Sequence, residues 1–491
     1  MIDGSGIDGS GIDGSGTDGS GTGGSPAAPR VPDAPPGAVL ATDLYELNMA
    51  ASYLARGMSG EATFSCFVRR FPEGRGFLVA CGLEDVLEFL DGLCFGDADL
   101  ADLARIGLPD DTLEAFATLR FSGDVLAAPE GSILAPDEPL LEVTAPIAEA
   151  QLVETYVLNQ LTFQSAVATK AARCQIAAAG RIGLVEFGLR RAHGREAGLA
   201  VSRAAGIAGF EATSNVEAAA RYGLVAAGTM AHSYVESFPT ELDAFLAFGG
   251  QFPDRSTFLV DTYDTLTGVD HAIEAIEALG LSGRASIRID SGDLAGLARA
   301  ARRRLDAAGL SAVHIFASGN LDEHGLARLV ATGAPVDGAG IGTRLAVSSD
   351  APYLESVYKL VAYEGRPVAK QSAGKATLPG AKQVFRGPGL TDVLALRHEE
   401  APEGSEPLLV PVIRGGRRVG PRPSPSEALA AARQRFESDL AQLPEPARRL
   451  EEPRVLRARL SGPLRALAEE VRAGAGGGTP AHSSAGTAGD E

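Results

Sequence analysis

Residues 285–319 read ASIRIDSGDLAGLARAARRRLDAAGLSAVHIFASG, and they carry the clearest fold signal in the chain. Short apolar runs at 285–290 and 312–317 flank a segment, 292–309, in which apolar residues recur every three or four positions. This order predicts a strand, a helix and a second strand parallel to the first. We therefore expect a parallel β-sheet whose strands are joined by right-handed helical crossovers.

The same alternation extends over the middle of the chain from about residue 182. Further strands are predicted at 182–187, 206–210, 224–228, 257–261 and 337–341. Further helices are predicted at 214–222, 268–279 and 322–332. About seven parallel strands are enough to curl into a barrel, so the predicted fold class is α/β with an irregular, TIM-like α/β barrel.

The sequence divides into five predicted segments. Residues 1–37 repeat Asp, Gly and Ser before a Pro- and Ala-rich linker, and residues 473–491 are similarly poor in apolar side chains. Such tracts bury too little apolar surface to offset the entropy of ordering them, so both are predicted to be disordered. Between them lie a β-rich segment at 38–150, the α/β segment at 151–352, and a β-rich, then helical, segment at 353–472.

Composition excludes several classes of protein. The formal net charge of −19 disfavours binding to the phosphate backbone of nucleic acid, although a cleft can still attract a small anion. The four cysteines form no CxxC or Cys/His spacing, which disfavours a zinc site or a disulfide framework. Apolar runs stay well short of the roughly 18 residues of a membrane span, and the N-terminus does not resemble a secretory signal. We expect a cytoplasmic protein without membrane or nucleic-acid partners.

Polar residues follow the predicted strands at their carboxyl ends. His232, Asp261 and Asp290 each follow an apolar run. Because the carboxyl ends of parallel strands open onto one face, these side chains are expected to share a pocket. The imidazole of His232 is largely neutral near neutral pH, so it can act as a nucleophile, a base or a ligand. A hydrogen-bonded core histidine remains the alternative interpretation.

Three groups of residues suit anions or a metal. The run Gly338-Ala-Gly-Ile-Gly-Thr343 lets backbone N–H groups approach a phosphate, and Arg190 and Arg191 offer fork-shaped donors to a carboxylate or phosphate. Asp290 and Asp293 could hold Mg²⁺ together with substrate phosphates, or bind sugar hydroxyls. A structural role for Asp293 in the first turn of the helix at 292–309 is equally compatible with the sequence.

Taken together, the motifs resemble the nicotinate phosphoribosyltransferase family, a group of type II phosphoribosyltransferases. The resemblance covers roughly residues 38–470, in order. Its motifs are Thr42-Asp43-Leu44-Tyr45, Glu186-Phe-Gly-Leu-Arg-Arg191, Gly228-Thr-Met-Ala-His-Ser233, Val260-Asp-Thr-Tyr-Asp-Thr265, Ile289-Asp-Ser-Gly-Asp293, Val357-Tyr-Lys-Leu360, Gly374-Lys-Ala-Thr-Leu-Pro-Gly380 and Lys382-Gln-Val-Phe-Arg386.

The resemblance implies an activity and an architecture. The family joins nicotinate to phosphoribosyl pyrophosphate, couples the reaction to ATP hydrolysis and requires Mg²⁺. It implies an irregular α/β barrel plus an open-faced β-rich sandwich, which here would be built from the segments 38–150 and 353–472. It also implies a homodimer in which each active site is completed by the partner subunit.

The resemblance also implies residue roles. His232 resembles the histidine that ATP phosphorylates. Phe187 and Tyr45 resemble the aromatic pair around the pyridine ring, with Tyr45 supplied by the other subunit. Arg190, and secondarily Arg191, would bind substrate anions. Asp290 resembles the carboxylate that holds the ribose hydroxyls, and Arg288 lies two residues before it on the same strand face. The remaining expected substrate-binding residues are Thr229, Ser318, Gly319, Gly342 and Thr343.

Two positions depart from the family pattern, and two other functions stay open. His193 and Glu46 stand where the family usually has glutamine. A type II phosphoribosyltransferase for nicotinamide or quinolinate is one alternative, although the family's nicotinamide enzymes usually carry Tyr-Arg-Gly where this chain has Leu-Arg-Arg. The other is a metal-dependent hydrolase or aldolase barrel that uses Asp290 and Asp293. That function predicts further His or carboxylate ligands at the strand ends.

Overall fold

An antiparallel sheet and four helices dominate residues 38–146 of the computed structural model, which describes residues 38–370, 372 and 376–476. A 3₁₀ turn at Ala38–Leu40 comes first. The elements up to residue 152 are α1 (Leu44–Ala55), β1 (Glu61–Val68), β2 (Leu78–Val79), α2 (Leu83–Asp91), α3 (Asp97–Arg105), α4 (Asp110–Thr118), β3 (Asp124–Ala127), β4 (Ile133–Leu134), β5 (Pro139–Pro146) and α5 (Ile147–Leu152).

Strands and helices alternate in the middle of the chain, as the apolar pattern predicts. The elements are α6 (Glu154–Ala178), β6 (Gly183–Glu186), α7 (Arg195–Ile207), β7 (Ala212–Thr213), α8 (Val216–Tyr222), β8 (Val225–Ala226), α9 (His232–Glu236), α10 (Glu241–Gln251), β9 (Thr257–Leu259), α11 (Thr265–Leu279), β10 (Ser286–Ile289), α12 (Leu294–Ala307), β11 (His314–Ala317), α13 (Glu323–Ala331), β12 (Gly338–Ile341) and α14 (Thr343–Ala346). A 3₁₀ turn occupies Leu189–Arg191.

Short strands and three helices complete the described chain. They are β13 (Ser356–Tyr363), β14 (Arg366–Pro367), β15 (Lys382–Gly387), β16 (Thr391–Leu396), β17 (Glu406–Pro407), β18 (Val410–Arg414), β19 (Arg417–Arg418), α15 (Pro425–Gln442), α16 (Glu445–Arg448), β20 (Arg459–Leu460) and α17 (Gly462–Gly476). A 3₁₀ turn at Pro388–Leu390 joins β15 to β16.

Two seven-stranded sheets organise these elements. The parallel sheet has the strand order β8-β7-β6-β12-β11-β10-β9, so β12 is its middle strand and β11 and β10 follow it towards the edge strand β9. The second sheet has the order β14-β13-β1-β5-β3-β18-β19, and its β1 pairs antiparallel with β13 and β5. Strands from both ends of the chain therefore share this sheet. The mixed α/β class is confirmed, with a curled parallel sheet and separate antiparallel sheets.

The crossover helices begin where short polar side chains satisfy their first backbone N–H groups. Asn215, Asp264, Asp293 and Asp322 precede α8, α11, α12 and α13, and each side chain accepts a hydrogen bond from a backbone N–H three residues later. Such caps contribute about 1 kcal/mol each, and they fix the residue at which each strand-to-helix loop ends. The loops at the carboxyl edge of the parallel sheet are therefore short and well defined.

Helix α6 connects the two hydrophobic cores of the protein. Val157 and Leu161 pack into the core around the antiparallel sheet, whereas Val167 and Ala171 pack into the core around the parallel sheet. Most of the side chains of α6 beyond residue 163 are buried, as expected for a helix that is surrounded by protein. The same helix therefore packs against the cores of both sheets.

Some predicted boundaries differ from the structure. The predicted strand at 206–210 is wrong, because α7 continues to Ile207 and the strand in this region is Ala212–Thr213. A short apolar run is too short to show whether its apolar residues repeat with the period of a helix or of a strand. In this segment the chain is helical. Helix α17 extends to Gly476, four residues into the predicted disordered tail. Residues 1–37 and 477–491 lie outside the described part of the chain.

Within the described ranges, every helix is too short or too polar to cross a membrane.

Candidate active site

The carboxyl edge of the parallel sheet gathers most of the predicted site residues. Strand β10 lies between β9 and β11, and it carries Arg288 and leads into Asp290 at this edge. Ser318 follows β11, and the backbone N–H of Ser318 donates to the carbonyl of Ile289 at 2.9 Å. Neighbouring strands therefore bring residues that are far apart in the sequence to within hydrogen-bonding distance.

Arg288 holds these segments together through its guanidinium group. Its Nε donates to Ser318 Oγ at 2.7 Å, and its Nη1 donates to Thr229 Oγ1 at 2.8 Å. Its Nη2 donates to Asp290 Oδ1 at 2.6 Å. The guanidinium carbon also lies 5.9 Å from the ring centroid of Phe187, within the range of a cation–π contact. One cation thus orders four of the predicted residues.

Asp290 is half-buried and ionised. Burial opposes ionisation, but hydrogen bonds from Ser318 and Arg288 outweigh it, and the charges of Arg288 and His232 act in the same direction, so the pKa of the Asp290 carboxyl lies below its ordinary value. Its Oδ1 accepts Ser318 Oγ at 2.5 Å, while its Oδ2 faces His232. The carboxylate is therefore negatively charged over the physiological pH range.

His232 begins α9 and points towards Asp290. Its Nε2 lies 4.0 Å from Asp290 Oδ2, and its Nδ1 lies 3.2 Å from Thr262 Oγ1. The side chain is 42% exposed, so it is not a buried core histidine. When Nδ1 carries the proton and donates it to Thr262, the lone pair of Nε2 faces the pocket. The imidazole is then placed to act as a nucleophile.

Asp261 supports Asp290 and Ser291 through hydrogen bonds, a role that the sequence analysis did not assign to it, just as it assigned none to Thr262. Asp261 Oδ2 accepts the backbone N–H of Asp290 at 3.0 Å and Ser291 Oγ at 2.6 Å. Its Oδ1 is buried without a hydrogen-bond partner among the described residues. The sequence signal was present, because Asp261 follows a buried strand, but only the contact with the Asp290 backbone reveals its supporting role.

The ring of Phe187 lies beside Arg288 and forms one wall of the candidate site. Its ring centroid lies 5.8 Å from that of Phe316, and a Cβ atom at Gly340 would lie 2.5 Å from its ring. The preceding residue, Glu186, is fully buried and accepts Ser202 Oγ at 2.8 Å and Thr213 Oγ1 at 2.5 Å. Burial raises the pKa of Glu186, although these hydrogen bonds oppose the shift. These contacts hold the backbone that carries the ring.

The two predicted phosphate loops follow the adjacent strands β11 and β12. Gly319 has φ +95°, and an added Cβ would lie 1.8 Å from the carbonyl oxygen of Asp290, so only glycine fits there. Gly342 packs against the backbone of Phe187, where a Cβ would lie 3.0 Å from its carbonyl oxygen, and Thr343 follows as the first residue of α14. Both loops therefore run close to the centre of the site.

The structure does not bring every predicted residue into contact with this cluster. Arg190 and Arg191 lie in an exposed 3₁₀ turn after β6, and their side chains form no hydrogen bond within the described chain. Tyr45 is 48% exposed on α1. Burial, followed by the negative charges of Glu154, Glu46 and Asp43, raises the pKa of its phenol. None of these groups belongs to the parallel sheet.

Asp293 has a structural contact of its own. Its Oδ1 accepts the backbone N–H of Gly296 at 3.1 Å, which caps α12, and the residue is exposed. The described residues contain no group of three or more His, Cys, Asp or Glu side chains placed to hold a metal ion. The additional ligands that a metal-dependent hydrolase or aldolase requires are therefore not found among them.

This arrangement defines an α/β protein whose candidate site combines an exposed imidazole, a paired carboxylate and two glycine-containing loops. Comparison with known families specifies the class further. The nicotinate phosphoribosyltransferase N-terminal domain matches residues 40–162, and the nicotinate phosphoribosyltransferase family matches residues 182–380. These two matches cover more than half of the chain, and they include every predicted site residue.

Individual relatives agree with the family match. A nicotinate phosphoribosyltransferase of Mycobacterium tuberculosis is 48% identical over 77% of this chain and 82% of the relative. The human nicotinate phosphoribosyltransferase is 34% identical over 91% of this chain and 99% of the relative. The chain therefore belongs to the nicotinate phosphoribosyltransferase family, and it is an enzyme of this type.

Solved structures share the fold over most of the described residues. The crystal structure of human nicotinic acid phosphoribosyltransferase superposes with a TM-score of 0.77 at 32% identity, covering 88% of this chain and 99% of that protein. A nicotinate-nucleotide pyrophosphorylase from Pyrococcus furiosus gives a TM-score of 0.69 at 26% identity, covering 84% of this chain and 99% of that protein.

Proposed function

We propose that this enzyme transfers the phosphoribosyl group of phosphoribosyl pyrophosphate to nicotinate in NAD salvage. The products are nicotinate mononucleotide and pyrophosphate, and transfer is coupled to the hydrolysis of ATP. The observation that carries this proposal is the position of His232, whose Nε2 lies 4.0 Å from the carboxylate that Arg288 and Ser318 hold. A phosphoryl acceptor beside a group suited to ribose hydroxyls is what ATP-coupled transfer requires.

His232 is the proposed phosphoryl acceptor. The lone pair of Nε2 attacks the γ-phosphorus of ATP, an N–P bond forms, and the bond from phosphorus to the oxygen of ADP breaks. Thr262 holds Nδ1 at 3.2 Å and so orients the ring for this attack. The new phosphoryl group adds roughly two negative charges next to Asp290, and the cation of Arg288 offsets part of this charge. Hydrolysis of the N–P bond then resets the site.

The pyridine ring is assigned to the wall formed by Phe187 and Arg288. A flat aromatic ring can stack on Phe187, and each such contact contributes about 1 kcal/mol beyond burial. Arg190, with Arg191 as the second choice, offers unpaired fork-shaped donors to the nicotinate carboxylate or to a phosphate. The pyridine nitrogen is itself the nucleophile, so this step needs no strong general base.

The phosphoribosyl group is assigned to Asp290 and the two loops that follow β11 and β12. The Asp290 carboxylate would accept hydrogen bonds from the ribose hydroxyls and stabilise positive charge as pyrophosphate leaves the anomeric carbon. Backbone N–H groups around Ser318, Gly319, Gly342 and Thr343 would bind the 5′-phosphate, while Thr229 keeps Arg288 in place. Positioning and electrostatics supply most of the catalysis.

Mg²⁺ is expected to enter with the substrate. Asp290 Oδ2 is the carboxylate oxygen that Arg288 and Ser318 leave open, and Asp293 keeps one oxygen beyond its helix cap. Mg²⁺ commonly binds through one or two carboxylates plus phosphate oxygens and water, so Asp290 and Asp293 fit a metal that substrate phosphates deliver. When bound, the metal would neutralise charge on the leaving pyrophosphate.

The finer architecture is proposed by analogy with the family. We infer that the parallel sheet and its helices correspond to the irregular TIM-like barrel, and that the segments 38–150 and 353–472 form the open-faced sandwich. We further infer a cytoplasmic homodimer in which Tyr45 of one subunit covers the pyridine ring bound by the other. The exposure of Tyr45 on α1 supports this role, since the ring is free to meet a partner.

A comparison of acceptors tests the proposed function. Purified protein is supplied with phosphoribosyl pyrophosphate, ATP and Mg²⁺, and nicotinate or nicotinamide is added at equal concentration. The expected product is nicotinate mononucleotide, with ADP released in parallel. Equal mononucleotide formation from both acceptors would contradict the specificity for the acid, and mononucleotide from nicotinamide alone would assign the enzyme to the alternative acceptor.

A further inference from the structure

A buried cluster of charged side chains joins α6 to the segments that follow β11 and β12. Its cations are Arg75, Lys170 and Arg173, and its carboxylates are Glu323 and Asp350. Arg75 and Lys170 are each 1% exposed and Glu323 is fully buried. A buried charge is stable only when it is paired and hydrogen-bonded, so this ion cluster restricts the positions of the segments that contribute to it.

Lys170 is the residue that connects the two phosphate loops within the ion cluster. Its Nζ lies 2.6 Å from Glu323 Oε2 and 3.0 Å from Asp350 Oδ1. Glu323 begins α13, immediately after the loop that contains Ser318 and Gly319. Asp350 follows α14, which begins at Thr343. One ammonium group on α6 is therefore paired with a residue just beyond each loop.

The remaining charges hold this connection in one geometry. Arg75 donates to both oxygens of Asp350, at 2.8 and 3.1 Å, and to Ser348 Oγ at 2.7 Å. Arg173 Nε donates to Glu323 Oε1 at 3.0 Å. Each carboxylate is thus bound by Lys170 and by one arginine. The arginine hydrogen bonds are directional, and Lys170 and Glu323 are buried, so a shift of either loop would break hydrogen bonds and separate paired charges.

A second ion pair between the same two segments supports the interpretation that the loops after β11 and β12 are held together. Arg344, on α14, pairs with Asp322, the residue that caps α13. Burial opposes ionisation of Asp322, but its hydrogen bonds and the charges of Arg344 and Lys170 lower its pKa. The loops after β11 and β12 are therefore joined directly by one ion pair and indirectly through Lys170.

We propose that Lys170 is a positioning residue that sets the spacing of the two loops assigned to the 5′-phosphate, an inference that rests on the proposed function. Backbone N–H groups of two separate loops can bind one phosphate only if the distance between the loops is held. Lys170 itself touches no substrate in this scheme. Its loss is expected to weaken binding of the ribose phosphate group while leaving the pyridine site unchanged.

The first test replaces Lys170 with methionine, which preserves length and removes the charge. Binding of ribose 5-phosphate is measured by calorimetry, and KM is measured for phosphoribosyl pyrophosphate and for nicotinate. We expect the Kd of ribose 5-phosphate and the KM of phosphoribosyl pyrophosphate to rise by about tenfold or more, because small displacements of binding groups have large effects. The KM of nicotinate should stay within about twofold.

Lys382→Met is the matched control. Lys382 is also 1% exposed and is paired with Glu142 at 3.2 Å, but it lies on β15, outside the parallel sheet. A folded Lys382→Met variant should bind ribose 5-phosphate as the unmodified protein does. An unchanged Kd in folded Lys170→Met, or an equal loss in both variants, would overturn the positioning role.

If Lys170→Met does not fold, the Asp350→Asn variant tests the positioning role instead. Asp350 is 22% exposed, so this variant is less disruptive. It leaves the cluster with more positive charge but weakens the connection to Lys170, so the proposed role predicts weaker binding of ribose 5-phosphate. Unchanged or tighter binding would overturn it. Ribose 5-phosphate binding by the unmodified protein without transfer to nicotinate would instead count against the proposed function alone.

Discussion

Replacing Asp290 with asparagine tests the centre of the site, because it removes one negative charge and keeps the side-chain shape. Oδ1 of Asp290 accepts Arg288 Nη2 at 2.6 Å and Ser318 Oγ at 2.5 Å. An amide oxygen can still accept both bonds, so the change is mainly electrostatic. Hydrogen bonds to charged groups contribute about 1.5–3 kcal/mol and neutral ones about 0.5–1.5 kcal/mol, a difference of about 1–1.5 kcal/mol per bond.

Applied to the two hydrogen bonds that ribose hydroxyls would donate to this carboxylate in the transition state, the same difference gives a loss of about 2–3 kcal/mol, which corresponds to roughly a 30- to 150-fold fall in kcat/KM. The assay measures mononucleotide formation with varied phosphoribosyl pyrophosphate at saturating nicotinate, and thermal unfolding verifies that the variant is folded. A folded Asp290→Asn enzyme that keeps kcat/KM within about threefold of the unmodified enzyme would refute the role of this carboxylate.

Asp293→Asn is the matched control for this experiment. Asp293 caps α12 through Gly296, and asparagine caps helices about as well as aspartate does, so stability should change little. At saturating Mg²⁺, kcat/KM should remain within about twofold, while the Mg²⁺ concentration needed for half-maximal rate should rise because Asp293 is assigned to the metal. A higher Mg²⁺ requirement in Asp293→Asn would establish that ligand role. A fall in kcat/KM as large as that of Asp290→Asn would contradict the specific role proposed for the Asp290 carboxylate.

Three further predictions concern the nucleophile, the ring wall and acid stability. His232→Ala should abolish ATP hydrolysis yet keep slow, ATP-independent transfer, as measured by ADP and mononucleotide release; retained ATPase would exclude His232 as the phosphoryl acceptor. Gly340→Ala places a Cβ 2.5 Å from the Phe187 ring, so the KM of nicotinate should rise roughly tenfold and exceed any change for phosphoribosyl pyrophosphate. Asp322 has a lowered pKa, since hydrogen bonds and Arg344 outweigh burial. Its stabilising effect is present above its unfolded-state pKa of about 4 and is lost as pH falls through the folded value, so Asp322→Asn should flatten the decline of Tm below about pH 4; an unchanged slope would contradict this.

The strand-to-helix pattern accounts for the predicted residues that the structure brings together at one edge of the sheet. Strands β6, β10, β11 and β12 lie within the predicted segments, since four-residue apolar runs between amphipathic helices have a clear local signature. Parallel strands that end at one edge then bring His232 close to Asp290. The strand misplaced at 206–210 shows the limit of this signal, because the end of a buried helix and a buried strand are equally apolar.

Contacts between distant side chains had no such signature. Arg75 and Asp350 are 275 positions apart, and Arg173 and Glu323 are 150 apart, yet they form one buried cluster. A charged residue inside an apolar helix, such as Lys170, looks in sequence like a surface position or an irregularity. Its partners become known only when α6 packs beside α13 and α14.

The order of apolar runs, caps and glycines in the chain was therefore sufficient to predict the α/β class, the parallel sheet and the edge at which most of the predicted residues meet, because these follow from interactions between residues near in sequence. The packing of separate elements decided the rest: which carboxylate pairs with which cation, and that Asp261 supports Asp290. Those contacts depend on distances between separate elements. A charged group that loses its hydration on burial must be paired, and no local sequence pattern identifies its partner.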